Sequence, residues 1–182
     1  MNTSKVMKIS ISVMLLTSFV AAKDPYGLKR KHKNLQVHNI IKKASKTNQD
    51  VYELLAIAIT ESSLNPKAYS RTKDSGLFQV NCKWWYKKFK YDSMKSCKED
   101  MMNPSKNIDA AIHILTSYRK RYNHCKGNLG YRCYNGGPGW PKSKNIDKIK
   151  RYEAKVRERK QILHSHYRDM IESIKEIYEP RI

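Results

Sequence analysis

Glu61 is the first residue whose setting could do chemistry. It closes the run VYELLAIAITES over residues 51–62, which is nearly all apolar after Glu53, and stands just before Ser62-Ser63 and the Asn65-Pro66 break. Apolar neighbours and the negative end of a helix both disfavour a charged carboxylate and raise its pKa. A carboxyl held protonated near neutral pH can act as a general acid. Asp74 follows thirteen residues later, in the loop before Gly76; it either positions a water or stays a solvated loop residue. Trp84, Trp85 and Tyr86 offer aromatic faces on which a ligand ring could stack, but of two adjacent bulky aromatics at least one should face the core. His113, His164 and His166 fall on helical patterns and read as helix-surface residues. Phosphate-cradling glycine loops, metal-ligand clusters and nucleophile–base patterns do not stand out, so the sequence calls for no cofactor and no metal.

The elements that must position these residues read as helices. Asp50 with Glu53 three residues on forms an N-cap with a capping-box partner, and the helix it opens should lie in the core. Val37, Ile40, Ile41 and Ala44 recur at helical spacing. Residues 23–35 (KDPYGLKRKHKNL) are basic and turn-rich and read as an extended arm. Asn65-Pro66 and the polar run to Gly76 form a loop, and the stretches 76–80 and 84–86 predict the start of another helix. Asn103-Pro104 predicts a turn, residues 108–122 (IDAAIHILTSYRKRY) an amphipathic helix, and residues 135–140 (NGGPGW) a second turn. Residues 146–178 predict one or two helices, with Val156, Leu163, Met170 and Ile177 alternating with Tyr167 and Ile174 at heptad spacing. That stripe packs on the rest of a monomer or, alternatively, forms a dimerising coiled coil. Strand signals are sparse, and the fold class is all-α.

The compartment follows from the first residues. Lys5 and Lys8 precede an uncharged run over residues 9–22 (ISISVMLLTSFVAA), which is short for a membrane span and suits a signal-peptide core. Val20 and Ala22 occupy the −3 and −1 positions of a cleavage point before Lys23. The protein therefore reads as exported, to the periplasm or the outside of the cell. Outside the cytoplasm, an even number of cysteines, Cys82, Cys97, Cys125 and Cys133, points to two disulfides with three connectivities open. The local pairs Cys82–Cys97 and Cys125–Cys133 are preferred, because short loops close at low entropic cost.

In chain order come Glu61-Ser62, Asn65-Pro66-x-Ala68-x-Ser70, Gly76-Leu77-Phe78-Gln79, Asn103-Pro104-x-x-Asn107-Ile108, Tyr134-Asn135-Gly136-Gly137-Pro138-Gly139, and Tyr152 with Val156. This ordered set resembles the Slt-type (family 1) lytic transglycosylases, whose catalytic domain looks like goose-type lysozyme. The resemblance implies a lysozyme-like domain over residues 36–156, between a signal peptide (1–22) with a basic arm (23–35) and a C-terminal helical extension (157–182). It implies that Glu61 is the single catalytic acid and base, and that Ser70, Gln79, Tyr134, Asn135 and Tyr152 bind substrate or flank the catalytic carboxyl. Ser70 matches a serine near the substrate's N-acetyl group, and Tyr134 a tyrosine near the catalytic glutamate. Two positions depart from the pattern: Phe78 stands where the family usually has Met, and Cys133 where it has Ala. The cysteine suggests a disulfide locking the loop of Tyr134.

The implied reaction cleaves the bond between N-acetylmuramic acid and N-acetylglucosamine in peptidoglycan and forms a 1,6-anhydro ring. The competing outcome is hydrolysis, as in goose-type lysozymes, with Asp74 positioning the water. Charge sets the surroundings: 37 Lys and Arg against 16 Asp and Glu give +21. Such a surface suits a polyanionic partner without choosing one. A non-catalytic cationic protein bound to nucleic acid or to the envelope is the rival reading. No nucleic-acid-binding motif is visible, and the leader weighs against DNA; glycan strands and anionic envelope polymers are the expected partners.

Overall fold

The computed structural model describes residues 24–179; the leader expected over residues 1–22 lies outside the described residues. The helices are α1 (Lys31–Thr47), α2 (Val51–Ser62), α3 (Cys82–Trp85), α4 (Met94–Met101), α5 (Pro104–Arg121), α6 (Leu129–Gly136), α7 (Ile146–His166) and α8 (Arg168–Tyr178). Two-residue strands, β1 (Asp74–Ser75) and β2 (Val80–Asn81), pair antiparallel with Asp74 opposite Asn81. The all-α expectation holds.

Helix α2 is the core element because it is apolar on every side: each residue from Val51 to Ile59 is buried. Leu54, Leu55 and Ile57 are wholly buried, each contributing about 1.5–3 kcal/mol relative to an exposed side chain. The Asp50 carboxylate caps the helix, accepting from the Glu53 N–H at 3.0 Å. Glu53 does not complete the capping box. Its carboxylate instead receives Arg119 of α5, Nη1 at 2.7 Å and Nη2 at 2.5 Å. A second buried pair, Arg132 on α6 with Glu153 on α7, ties the next two helices together.

Several local expectations change. Asn103-Pro104 is not a free turn but the start of α5: the Asn103 side chain accepts from the Lys106 N–H, and Pro104 takes the first helical position, where its missing N–H costs nothing. Residues 76–80 do not begin a helix, because Gly76 (φ 79°) and Gln79 (φ 49°) are left-handed and turn the chain into the β1–β2 hairpin. A Cβ on Gly76 would lie 2.0 Å from the Met101 carbonyl oxygen, so glycine is required there. The basic arm expected over 23–35 is not extended where it is described, from residue 24 on. Leu28 is wholly buried, α1 begins at Lys31, and Tyr167 pins residues 24–26 by donating from its hydroxyl to Asp24 (2.6 Å) and accepting the Tyr26 N–H (2.8 Å).

The C-terminal stripe is spent inside the domain. Helix α7 lies along α2, and α8 turns back at Tyr167 onto α1. Val156, Leu163, Tyr167 and Ile174 are buried, Met170 is half-buried, and Ile177 is 66% exposed. Tyr52 of α2 stacks on His164 at 3.7 Å between ring centroids and donates to Glu172 at 2.7 Å. The disulfides join Cys82 to Cys97 and Cys125 to Cys133, the local pairing expected.

Candidate active site

The last turn of α2 opens on a cleft of about 980 Å³. Ser63 (φ 53°) and Leu64 (φ 66°) end that helix abruptly, and Leu64 anchors the exit by being buried. Ser62 fastens the helix end to the hairpin, its hydroxyl donating to the Leu77 carbonyl at 2.7 Å. Glu61 is thereby fixed at the cleft, half-buried. Burial pushes its pKa up to about 7; the hydrogen bond from Tyr152 opposes that rise, and the charge of Asp74 adds to it.

Tyr152, on α7, donates to Glu61 Oε1 at 2.6 Å. Tyr134, on α6, donates to the Phe78 carbonyl at 2.8 Å. Burial and the neighbouring Glu61 charge hold both phenols well above their ordinary value, so both stay protonated at neutral pH. The residue expected on a loop, Tyr134, is instead on a helix, which the Cys125–Cys133 disulfide joins to the 3₁₀ turn after α5.

Asp74 lines the same cleft. Its carboxylate accepts from Asn81 Nδ2 (2.5 Å), from the Ser70 hydroxyl (2.8 Å) and from the Thr72 hydroxyl. Ser70 thus sits behind Asp74, away from the cleft lining. Gln79 lines the cleft, but its amide group donates to the carbonyls of Ala68 (3.1 Å) and Gly76 (2.9 Å), leaving its oxygen as the group without a partner. Asn135 is exposed on the cleft rim. Asn107 is structural: wholly buried, it accepts from the Phe78 N–H and donates to the Ser75 and Met101 carbonyls, which holds the hairpin against α4 and α5.

The aromatic pair divides as two adjacent rings must. Both line the cleft, but Trp85 is 6% exposed and packs against Phe89 and Tyr118, whereas Trp84 is 67% exposed. One wall escaped the sequence reading. His113, Ser117 and Arg121, with Ile114, Tyr118 and Tyr122, face the cleft from α5 and beyond its end. Their spacing of four was a signal available in the sequence. Cys125 and Cys133 lie close to His124 in a ligand-like group, but the two sulfurs are bonded to each other and offer no thiolate.

The half-buried acid and the tyrosine bonded to it lie within the span of a family match: the profile described as Transglycosylase SLT domain covers residues 38–158. The chain belongs to this transglycosylase family. The matched span runs from α1 into α7 and includes Glu61, Tyr134 and Tyr152. Among solved structures, the 70 kDa soluble lytic transglycosylase of Escherichia coli is 19% identical with a TM-score of 0.44, over 75% of this chain and 22% of that one. This member of the family thus spans about a fifth of that protein's length. No curated protein matches it.

Proposed function

We propose that the protein is a peptidoglycan lytic transglycosylase that cleaves the β-1,4 bond between N-acetylmuramic acid and N-acetylglucosamine. The observation that carries this reading is Glu61 itself, a carboxyl pushed up to about 7 at the end of a buried helix and facing a cleft. At neutral pH such a group is divided between acid and base and can serve as each in turn. Tyr152 occupies Oε1, so Oε2 carries the proton to the glycosidic oxygen. As the C1–O4 bond breaks, the muramic acetamido oxygen stabilises C1 as an oxazolinium ion. The Glu61 carboxylate, still held by Tyr152, then takes the proton of the C6 hydroxyl as that oxygen attacks C1. The acetamido oxygen leaves, the 1,6-anhydro ring closes, no water is consumed, and Glu61 is protonated again.

Around this step, Trp84 supplies a stacking face and Asn135 a hydrogen-bonding group for sugars, while Gln79 presents its oxygen. Ser70 acts through Asp74, holding the charge that helps keep Glu61 protonated. Residues 36–156 form the catalytic domain, and the helical extension over residues 157–179 buttresses it. Two disulfides suit an oxidising compartment, which supports export to the periplasm or cell exterior, where a cationic surface also meets anionic envelope polymers.

Hydrolysis is the second reading, supported by the place of Asp74 in the same cleft. Three donors already fill most of that carboxylate's capacity, which favours the lyase. Mass spectrometry of digested sacculi separates the two. Anhydro-muramic ends are expected, and Glu61→Gln should abolish their release. Reducing muramic ends without anhydro products would replace the lyase with a hydrolase, and normal turnover by Glu61→Gln would remove Glu61 from the reaction.

A further inference from the structure

Two sets of cations in this protein differ in what they face. Arg119 and Arg132 are consumed by buried carboxylates and hold helices together. Lys88, Arg121 and Lys148 all line the cleft, are exposed, and form no ion pair among the described residues. They converge from separate places, Lys88 from the segment after α3, Arg121 from the last residue of α5 and Lys148 from the first turn of α7. Among the described residues the acidic side chains lining the cleft are Glu61 and Asp74; the first is divided between its neutral and charged forms near pH 7 and the second is engaged by three donors.

Lys88 Nζ lies over the Trp85 ring at 4.6 Å from its centroid, but none of the three has a carboxylate partner, and three such cations on the walls of one cleft attract an anion more strongly than the same charges scattered over a convex surface, because low-dielectric walls focus the field. The sugar rings of a glycan strand carry hydroxyls and acetamides, which need no cation. Its carboxylates lie on the lactyl branch of each muramic residue and, where that branch is amidated, farther out on the peptide stem. Lys and Arg on the walls have the reach to meet groups projecting beyond the rings.

We propose that Lys88, Arg121 and Lys148 form a subsite for the carboxylates of the peptide stem, so that this enzyme selects stem-bearing strands over bare ones. The subsite rests on the glycan-strand reading above, but binding tests it without any cleavage. The measurement is the affinity for soluble glycan strands carrying tripeptide or tetrapeptide stems, against the same strands after an amidase has removed them. Both are measured in the Glu61→Gln background, where strands stay intact. Replacing Lys88, Arg121 and Lys148 together by Gln should weaken binding of stem-bearing strands about tenfold at low salt and of bare strands less than about twofold. A matched triple replacement of Lys31, Lys46 and Lys155, exposed lysines outside the cleft, should leave the ratio of the two affinities unchanged. Equal losses on both substrates would mean that the cations read the lactyl group or the strand as a whole, and would overturn the proposal. So would an unchanged ratio in the cleft variant, or an equal fall in the control. Product analysis on wild type judges the lyase chemistry separately, so the two readings fail independently.

Discussion

Tyr152→Phe removes one hydrogen bond from Glu61 and little else, since the ring and its packing on α2 remain. In the native protein that bond runs from Tyr152 Oη to Glu61 Oε1 at 2.6 Å and favours the charged carboxylate. A hydrogen bond to a charged group contributes about 1.5–3 kcal/mol. At about 1.4 kcal/mol per pKa unit, its loss should raise Glu61 by about 1–2 units, from about 7 to between 8 and 9. The protonated carboxyl is the acid that starts the reaction, so kcat/KM is sustained below the Glu61 pKa and falls as pH rises through it. The alkaline limb of the kcat/KM profile on soluble glycan strands, which reports the free enzyme, should therefore move upward by at least about one unit. A limb that stays in place, or moves down, would refute the assignment of Tyr152 as the group holding Glu61 in its ionised form.

The same carboxyl sets a cost in stability. Glu61 rises from an ordinary 4.5 to about 7 in the fold, so the folded chain binds the extra proton between those pH values. Stability is then greatest below pH 4.5 and is lost as pH rises to 7, by up to about 3 kcal/mol. Glu61→Gln removes that loss, and its Tm should exceed that of wild type by several degrees at pH 8 and match it at pH 4; a difference independent of pH would contradict the buried-acid reading. Arg119→Met strands Glu53 as a buried, unpaired charge and should lower urea-measured stability by about 3–5 kcal/mol. The double variant with Glu53→Leu should recover most of that, and a double variant as unstable as the single would show that the pair is not what holds α2 to α5.

Local signals were legible where the cause is local. The Asp50 cap, the all-apolar run of α2 and the heptad stripe over 146–178 each depend on residues within a few positions of one another. The cysteine pairing also followed from chain proximity. Misreadings came where a distant group decided the outcome. The arm folds over residues 24–35 because Tyr167 binds Asp24 and Tyr26, more than 140 residues away in sequence. Helix α5 starts four residues earlier than its apolar pattern, because Asn103 caps it and Pro104 can begin it. Ser70, matched by its motif to the substrate's N-acetyl group, has its hydroxyl on Asp74.

By itself the sequence settled that the protein is all-α, that Glu61 ends a buried helix, and that ordered short motifs place it among the transglycosylases. These rest on periodicity and chain order, which one strand of letters contains in full. Tertiary structure alone decided that Tyr152 grips Glu61 across 91 positions and that Asp74 is filled by its own neighbours. It also decided that at the cleft wall Trp84 is exposed while Trp85 is packed into the core, and that three lysine and arginine side chains from separate elements line the same cleft. The +21 charge counts every cation alike. Only the fold separates those neutralised by a buried carboxylate from those left to receive a ligand.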